Sequence, residues 1–111
     1  NKHTDYIYMV TGDRLVISMN AELDHHLAEE MRQVIDDVID KRGVTHIVFD
    51  FTKVDFMDSA GIGLIIGRYK FTNMLGGKLE VANLTQSVKK IFEMSGILKL
   101  IPIAQLETYE N

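Results

Sequence analysis

The chain has 111 residues, of which 46% are hydrophobic, enough for one domain with its own core, expected to span residues 1–111. Sixteen acidic against 12 basic residues give a net charge of -4, which argues against bulk affinity for nucleic acid or anionic lipid. The absence of cysteine excludes disulfides and thiolate metal sites and suits the cytosol. No apolar run approaches the roughly 20 residues of a membrane span. The polar start, Asn1-Lys2-His3-Thr4-Asp5, carries no signal peptide, so a cytoplasmic location is expected.

Tyr6 to Thr11 is rich in aromatic and β-branched residues and reads as a strand. Gly12-Asp13 is a two-residue turn signal. Arg14 to Met19 then alternates, with Leu15, Ile17 and Met19 on one face, which completes a hairpin. Asp24 is suited to cap a helix, with Glu29 and Glu30 near its positive end. Leu27, Ala28, Met31, Val34, Ile35, Val38 and Ile39 recur at spacings of three and four and form one broad stripe. Lys41 and Arg42 complement the C-terminus, and Gly43 ends the helix.

Val44 to Phe51 is almost continuously apolar, as in a strand covered on both faces, with Asp50 near its carboxyl end. A second helix is expected to start near Ser59 and to end at Gly76-Gly77. It is apolar almost all round, so part of it, the turn of Ile62 included, is either covered by other elements or left for a partner. Leu79 to Ala82 reads as a short strand. Thr85 caps a short helix in which Val88, Ile91, Phe92 and Ser95 share a face, and Gly96 closes it. Leu100 to Ile103, broken by Pro102, reads as a weak edge strand. Ala104 to Asn111 begins another helical pattern. The order implies an α/β fold: an N-terminal β-hairpin, then alternating elements that build a mostly parallel sheet of about five strands with three to four helices packed on it.

Asp55 to Arg68 joins the third strand to the second helix, with Asp58-Ser59-Ala60-Gly61 at the junction. From spacing alone Ser59 reads first as a helix cap, worth about 1 kcal/mol. Ala60 and Gly61 keep the first turn small, which leaves the hydroxyl accessible at a helix start where a phosphate is also stabilised. Other chemistry has weaker support. Gly61-x-Gly63-x-x-x-Gly67 misses the dinucleotide fingerprint by one residue, and no P-loop exists. His25 and His26 point about 100° apart on a helix and do not readily share an ion. His3 and His46 have no evident partner. Asp24, Asp50, Asp55 and Asp58 could gather at one rim of the sheet and bind a hard cation, but only Asp58 lies on the junction turn. No metal, cofactor or catalytic residue is expected.

Several blocks together resemble the STAS domain of anti-sigma factor antagonists. They are Glu22-Leu23-Asp24-His25-His26, Val54-Asp55-Phe56-Met57-Asp58-Ser59-Ala60-Gly61-Ile62-Gly63, Gly76-Gly77-Lys78-Leu79 and Val88 to Gly96. The resemblance covers nearly the whole chain and is nearest to the sporulation stage II antagonists of spore-forming bacteria. It implies a non-enzymatic partner switch. The unmodified antagonist binds an anti-sigma factor that is also an ATP-dependent serine kinase, and so frees the sigma factor. Phosphorylation of the Ser after Asp, here Ser59, switches binding off, and a serine phosphatase reverses it. Implied partner contacts are Asp24, Asp58, Ser59, Ala60, Gly61, Ile62 and Arg68, with Arg68 expected to meet acidic partner groups. The free protein is expected to be a monomer, without nucleic-acid or membrane partners. The alternatives are a STAS module that binds a small ligand or nucleotide, or a scaffold subunit of another signalling assembly.

Overall fold

A computed structural model describes residues 5–105. Strands β1 (Tyr6–Thr11) and β2 (Arg14–Met19) form the expected hairpin. Helix α1 (His25–Arg42) leads to β3 (His46–Asp50), helix α2 (Ser59–Met74) to β4 (Lys78–Ala82), and helix α3 (Gln86–Ser95) to a 3-10 turn, Ile97–Lys99. The sheet order is β1-β2-β3-β4, with β1 antiparallel to β2 and the other neighbours parallel.

The caps follow local chemistry. The Asp24 carboxylate accepts from the Leu27 amide at 2.8 Å, and Gly43 ends α1 with the left-handed φ of 65° that a side chain resists. The Thr85 hydroxyl accepts from the Val88 amide at 3.3 Å and donates to the Val54 carbonyl at 2.8 Å, which fastens α3 to the loop after β3. Glu29 lies one residue past the first turn of α1 and pairs with Arg32 instead of serving the helix N-terminus.

The strand registers place Leu15, Ile17, Ile47, Phe49, Leu79 and Val81 on one face. These residues share a core with Met31 and Ile35 of α1, Leu64 and Ile65 of α2, and Val88 and Phe92 of α3. Most of α2's apolar surface is therefore covered; Ile62, Ile66, Tyr69 and Phe71 are partly buried against that core, while Met74 at its end stays exposed. Across the sheet's other face, His46 Nε2 meets Glu80 Oε1 at 2.5 Å. This supplies the partner that His46 lacked in the sequence.

Among the described residues the sheet has four strands where about five were expected. Leu100 to Ile103 is not a strand. The 3-10 turn occupies the preceding residues, and Ile103 alone bridges to Val81. Pro102 has no amide to donate, so the pairing reduces to the Val81 amide on the Pro102 carbonyl at 3.1 Å and the Ala104 amide on the Val81 carbonyl at 2.7 Å. Three α-helices are described; the helical pattern from Ala104 onward lies largely outside the described residues. Among the described residues no helix is long and apolar enough to cross a membrane.

Candidate functional site: the start of helix α2

The loop from Phe51 to Asp58 is pinned from below by Phe51, Val54 and Met57, each at most 2% exposed. Met57 pairs in parallel with Leu23 in an isolated bridge. The next residue on each side is a helix cap: Asp24 for α1 and Asp58 for α2. One bridge therefore sets two helix N-termini, and two exposed carboxylates, side by side on the same rim.

Asp58, not Ser59, is the cap. Its backbone is extended (φ -99°, ψ -167°), and its carboxylate accepts from the amides of Ala60 at 2.9 Å and Gly61 at 3.4 Å. Ser59 is the first helical residue, exposed, and among the described residues its hydroxyl makes no hydrogen bond. The expected cap role of Ser59 is thus corrected. Either side chain is chemically fit to cap, and the extended backbone at 58 gives the role to Asp58. The hydroxyl is left without a structural task, at the positive end of the helix.

Gly61 explains the closeness of this turn. A Cβ there would lie 3.1 Å from Cβ of both Leu23 and Met57, and 2.8 Å from the Met57 thioether methyl. Gly61→Val is expected to wedge α2 off the bridge and destabilise the fold by about 1–3 kcal/mol. Urea melts beside Gly63→Ala, whose Cβ would meet nothing within 4 Å, check this.

Ala60 is half-buried, and Ile62 is half-buried against the core, so Ile62 offers a partner only part of its side chain. Phe56, 52% exposed, is the large apolar side chain standing free beside the turn. Sequence reasoning missed it, since a single Phe in an aperiodic loop gives no burial signal; its place between Asp55 and the buried Met57 was the available hint.

Arg68 is placed differently from expectation. It is 9% exposed, its Nε lies 3.3 Å from Asp36 Oδ1 on α1, and its guanidinium sits 5.9 Å from the centre of the Phe71 ring. Neither Arg68 Nε nor Asp36 Oδ1 has hydrogen-bond geometry, so the contact is purely ionic. Burial pushes the Arg68 pKa down from its ordinary value, against the pull of Asp36. Arg68 therefore contributes to the α1–α2 seam. It floors a cleft of about 230 Å³ between the two helices that Gly63, Gly67, Ala28 and Ala60 leave open beside the Ser59 turn.

The described residues contain no cluster of three His, Cys, Asp or Glu side chains arranged for a metal. Asp50 is already engaged: it accepts from Ser18 Oγ at 3.0 Å, Thr52 Oγ1 at 2.6 Å, the Thr52 amide at 3.0 Å and Asn83 Nδ2 at 2.9 Å. Burial pushes its carboxyl up, but the bonds from Thr52 and Asn83 outweigh it and leave the pKa below the ordinary value. A depressed pKa contributes stability that is present above the unfolded value of about 3.9 and is lost as pH falls through the folded value. Asp50→Asn should therefore cost about 1–3 kcal/mol at pH 7 and flatten the acid limb of stability below about pH 4. Urea midpoints from pH 7 to pH 3 measure both.

These features define an α/β module that carries an exposed seryl hydroxyl, unbonded among the described residues, at the start of its second helix. The chain belongs to the STAS domain family, which it matches over residues 6–109. It is 39% identical over 89 residues to an anti-sigma F factor antagonist of Paenibacillus polymyxa, covering 80% of this chain and 76% of the relative. It is 36% identical to an anti-sigma F factor antagonist of Lysinibacillus sphaericus, with the same coverage. Among solved structures it is similar to the anti-sigma factor antagonist SpoIIAA in its unphosphorylated form, with 35% identity and a TM-score of 0.80, covering 90% of this chain and 88% of that one. It also matches the Bacillus cell fate determinant SpoIIAA in the phosphorylated form, with 34% identity and a TM-score of 0.73, over 90% and 91% of the two chains.

Proposed function

We propose that this protein is an anti-sigma factor antagonist that works by partner switching, with Ser59 as the switch. Its unphosphorylated form binds an anti-sigma factor that is also an ATP-dependent serine kinase, and the sigma factor is released. The kinase transfers the γ-phosphoryl group of ATP to Ser59 Oγ, leaving ADP and a phosphoserine that no longer binds. A serine phosphatase hydrolyses the ester and restores the binding form. The partner covers the rim formed by Asp24, Asp58, Ser59, Ala60 and Gly61, with Phe56 and the open side of Ile62 as apolar contacts.

The observation that carries this reading is the exposed Ser59 hydroxyl, unbonded and directly after a capping Asp58. The likeness to antagonists, and to SpoIIAA in both phosphorylation states, supports it. Incubation with the anti-sigma F factor and ATP, followed by peptide mapping, tests it. The expected result is one phosphate, on Ser59. A phosphate found chiefly on Ser87, the other exposed serine near a helix start, would sink the assignment.

A further inference from the structure

Among the described residues the sheet ends on β1, which pairs with β2 on one side only. Its sequence, Tyr-Ile-Tyr-Met-Val-Thr, contains no charge and no proline. Natural edge strands usually carry such features, or a bulge, to prevent pairing with another chain. Here Ile7 is 60% exposed and Met9 67%.

The hydrogen-bond phase of this edge is fixed. The Asn20 amide donates to the Asp5 carbonyl at 2.7 Å, one step beyond the Tyr6–Met19 register pair. Bonded pairs alternate along an antiparallel ladder, so Ile7, Met9 and Thr11 bond inward to β2. The backbone groups of Tyr6, Tyr8 and Val10 therefore point outward.

We propose that this edge is a docking surface for a second copy of the chain, with the two β1 strands antiparallel and Tyr8 opposite Tyr8 of the other copy. Two four-stranded sheets then become one. This register engages all three outward-facing residues, because Tyr6 falls opposite Val10 of the other copy. It also sets Ile7 against Met9 of the other copy, twice by symmetry, on the open face beside Val16. No like charges oppose each other within the paired segment.

The same register also brings opposite charges together. Arg14 faces Thr11 across the hairpin, and Asp5 of the other copy falls opposite Thr11 in the same row. Two strand spacings, about 10 Å, separate the two backbones, a span that an arginine and an aspartate side chain bridge together. The charges complement each other at both ends of the strand pair. The monomer expected from the sequence then describes dilute solution only. Nothing here depends on the antagonist reading, since the Ser59 turn takes no part.

Sedimentation velocity across a concentration series, with cross-linking of single-cysteine variants, tests the proposal. The chain has no cysteine, so an introduced one reports only on a second copy. Tyr8→Cys places two Cα atoms about 5.5 Å apart, within disulfide range. It should oxidise to a covalent dimer, whereas Val10→Cys, offset along the strand from its own counterpart, should not. The wild type should dimerise with rising concentration. The double variant I7K/M9K changes only exposed positions; it should keep the native circular dichroism and dimerise at least tenfold more weakly. A wild type that stays monomeric throughout, equal cross-linking of the two cysteine variants, or a dimer indifferent to I7K/M9K overturns the proposal. An edge reserved for a strand of another protein gives the first of these results.

Discussion

Phosphorylation of Ser59 is expected to weaken binding of the anti-sigma factor about 100-fold or more while leaving the fold intact. The phosphate brings about -1.5 to -2 charge at pH 7. It lands on a rim where the bridge between Leu23 and Met57 already sets the exposed Asp24 and Asp58 side by side. In the free protein all three groups stay hydrated, and the α2 N-terminus favours the anion by about 0.3–1 kcal/mol. In a complex the phosphate is desolvated against a surface fitted to a neutral hydroxyl. Two unit charges 4 Å apart interact by about 4 kcal/mol at an effective dielectric of 20. A net cost of about 2.7 kcal/mol is already a hundredfold. The fold has little reason to respond, because the Ser59 hydroxyl makes no hydrogen bond that phosphorylation would break. Amide shift changes confined to the Asp55–Gly63 turn and its neighbours at Leu23 and Asp24 are the expected result; changes across the whole sheet would contradict it.

Phe51→Ala is expected to cost the most stability, about 3–5 kcal/mol. Phe51 is fully buried, and its ring meets Phe92 of α3 edge to face, centroids 5.3 Å apart at 86°. Its removal leaves a cavity where the loop that carries the site is anchored to α3. Against a total of roughly 5–15 kcal/mol, that is a large share. Phe56→Ala, five residues on and half-exposed, should leave stability within about 0.5 kcal/mol and weaken partner binding instead. Paired urea melts and affinity measurements on the two variants separate anchor from contact. A Phe56→Ala variant with wild-type affinity removes that residue from the interface.

Much of this was legible in the sequence because it is local. Asp24 and Gly43 bound α1, and Thr85 and Gly96 bound α3, through contacts within a few residues. The strands announced themselves by alternation or by unbroken apolar runs. What escaped is decided by distant partners or by backbone. Arg68 reads as a solvated or partner-facing cation until α1 brings Asp36 against it across the helix seam. Asp58 and Ser59 are both competent caps, and only the extended backbone at 58 separates their roles. Leu100 to Ile103 has strand composition, but the 3-10 turn and Pro102 leave one bridge. Phe56 carries no periodic signal at all.

A Ser59 cap would make Ser59→Ala cost about 1 kcal/mol; with Asp58 as the cap, the change should be close to neutral. That makes Ser59→Ala a clean reference for the central claim. Calorimetric titration of the ADP-bound anti-sigma factor with unmodified, Ser59-phosphorylated and Ser59→Ala protein tests the claim most directly. The account predicts tight and nearly equal binding for the unmodified and Ala forms, and affinity lower by about two decades for the phosphorylated form. Equal affinity of the phosphorylated and unmodified proteins would contradict it.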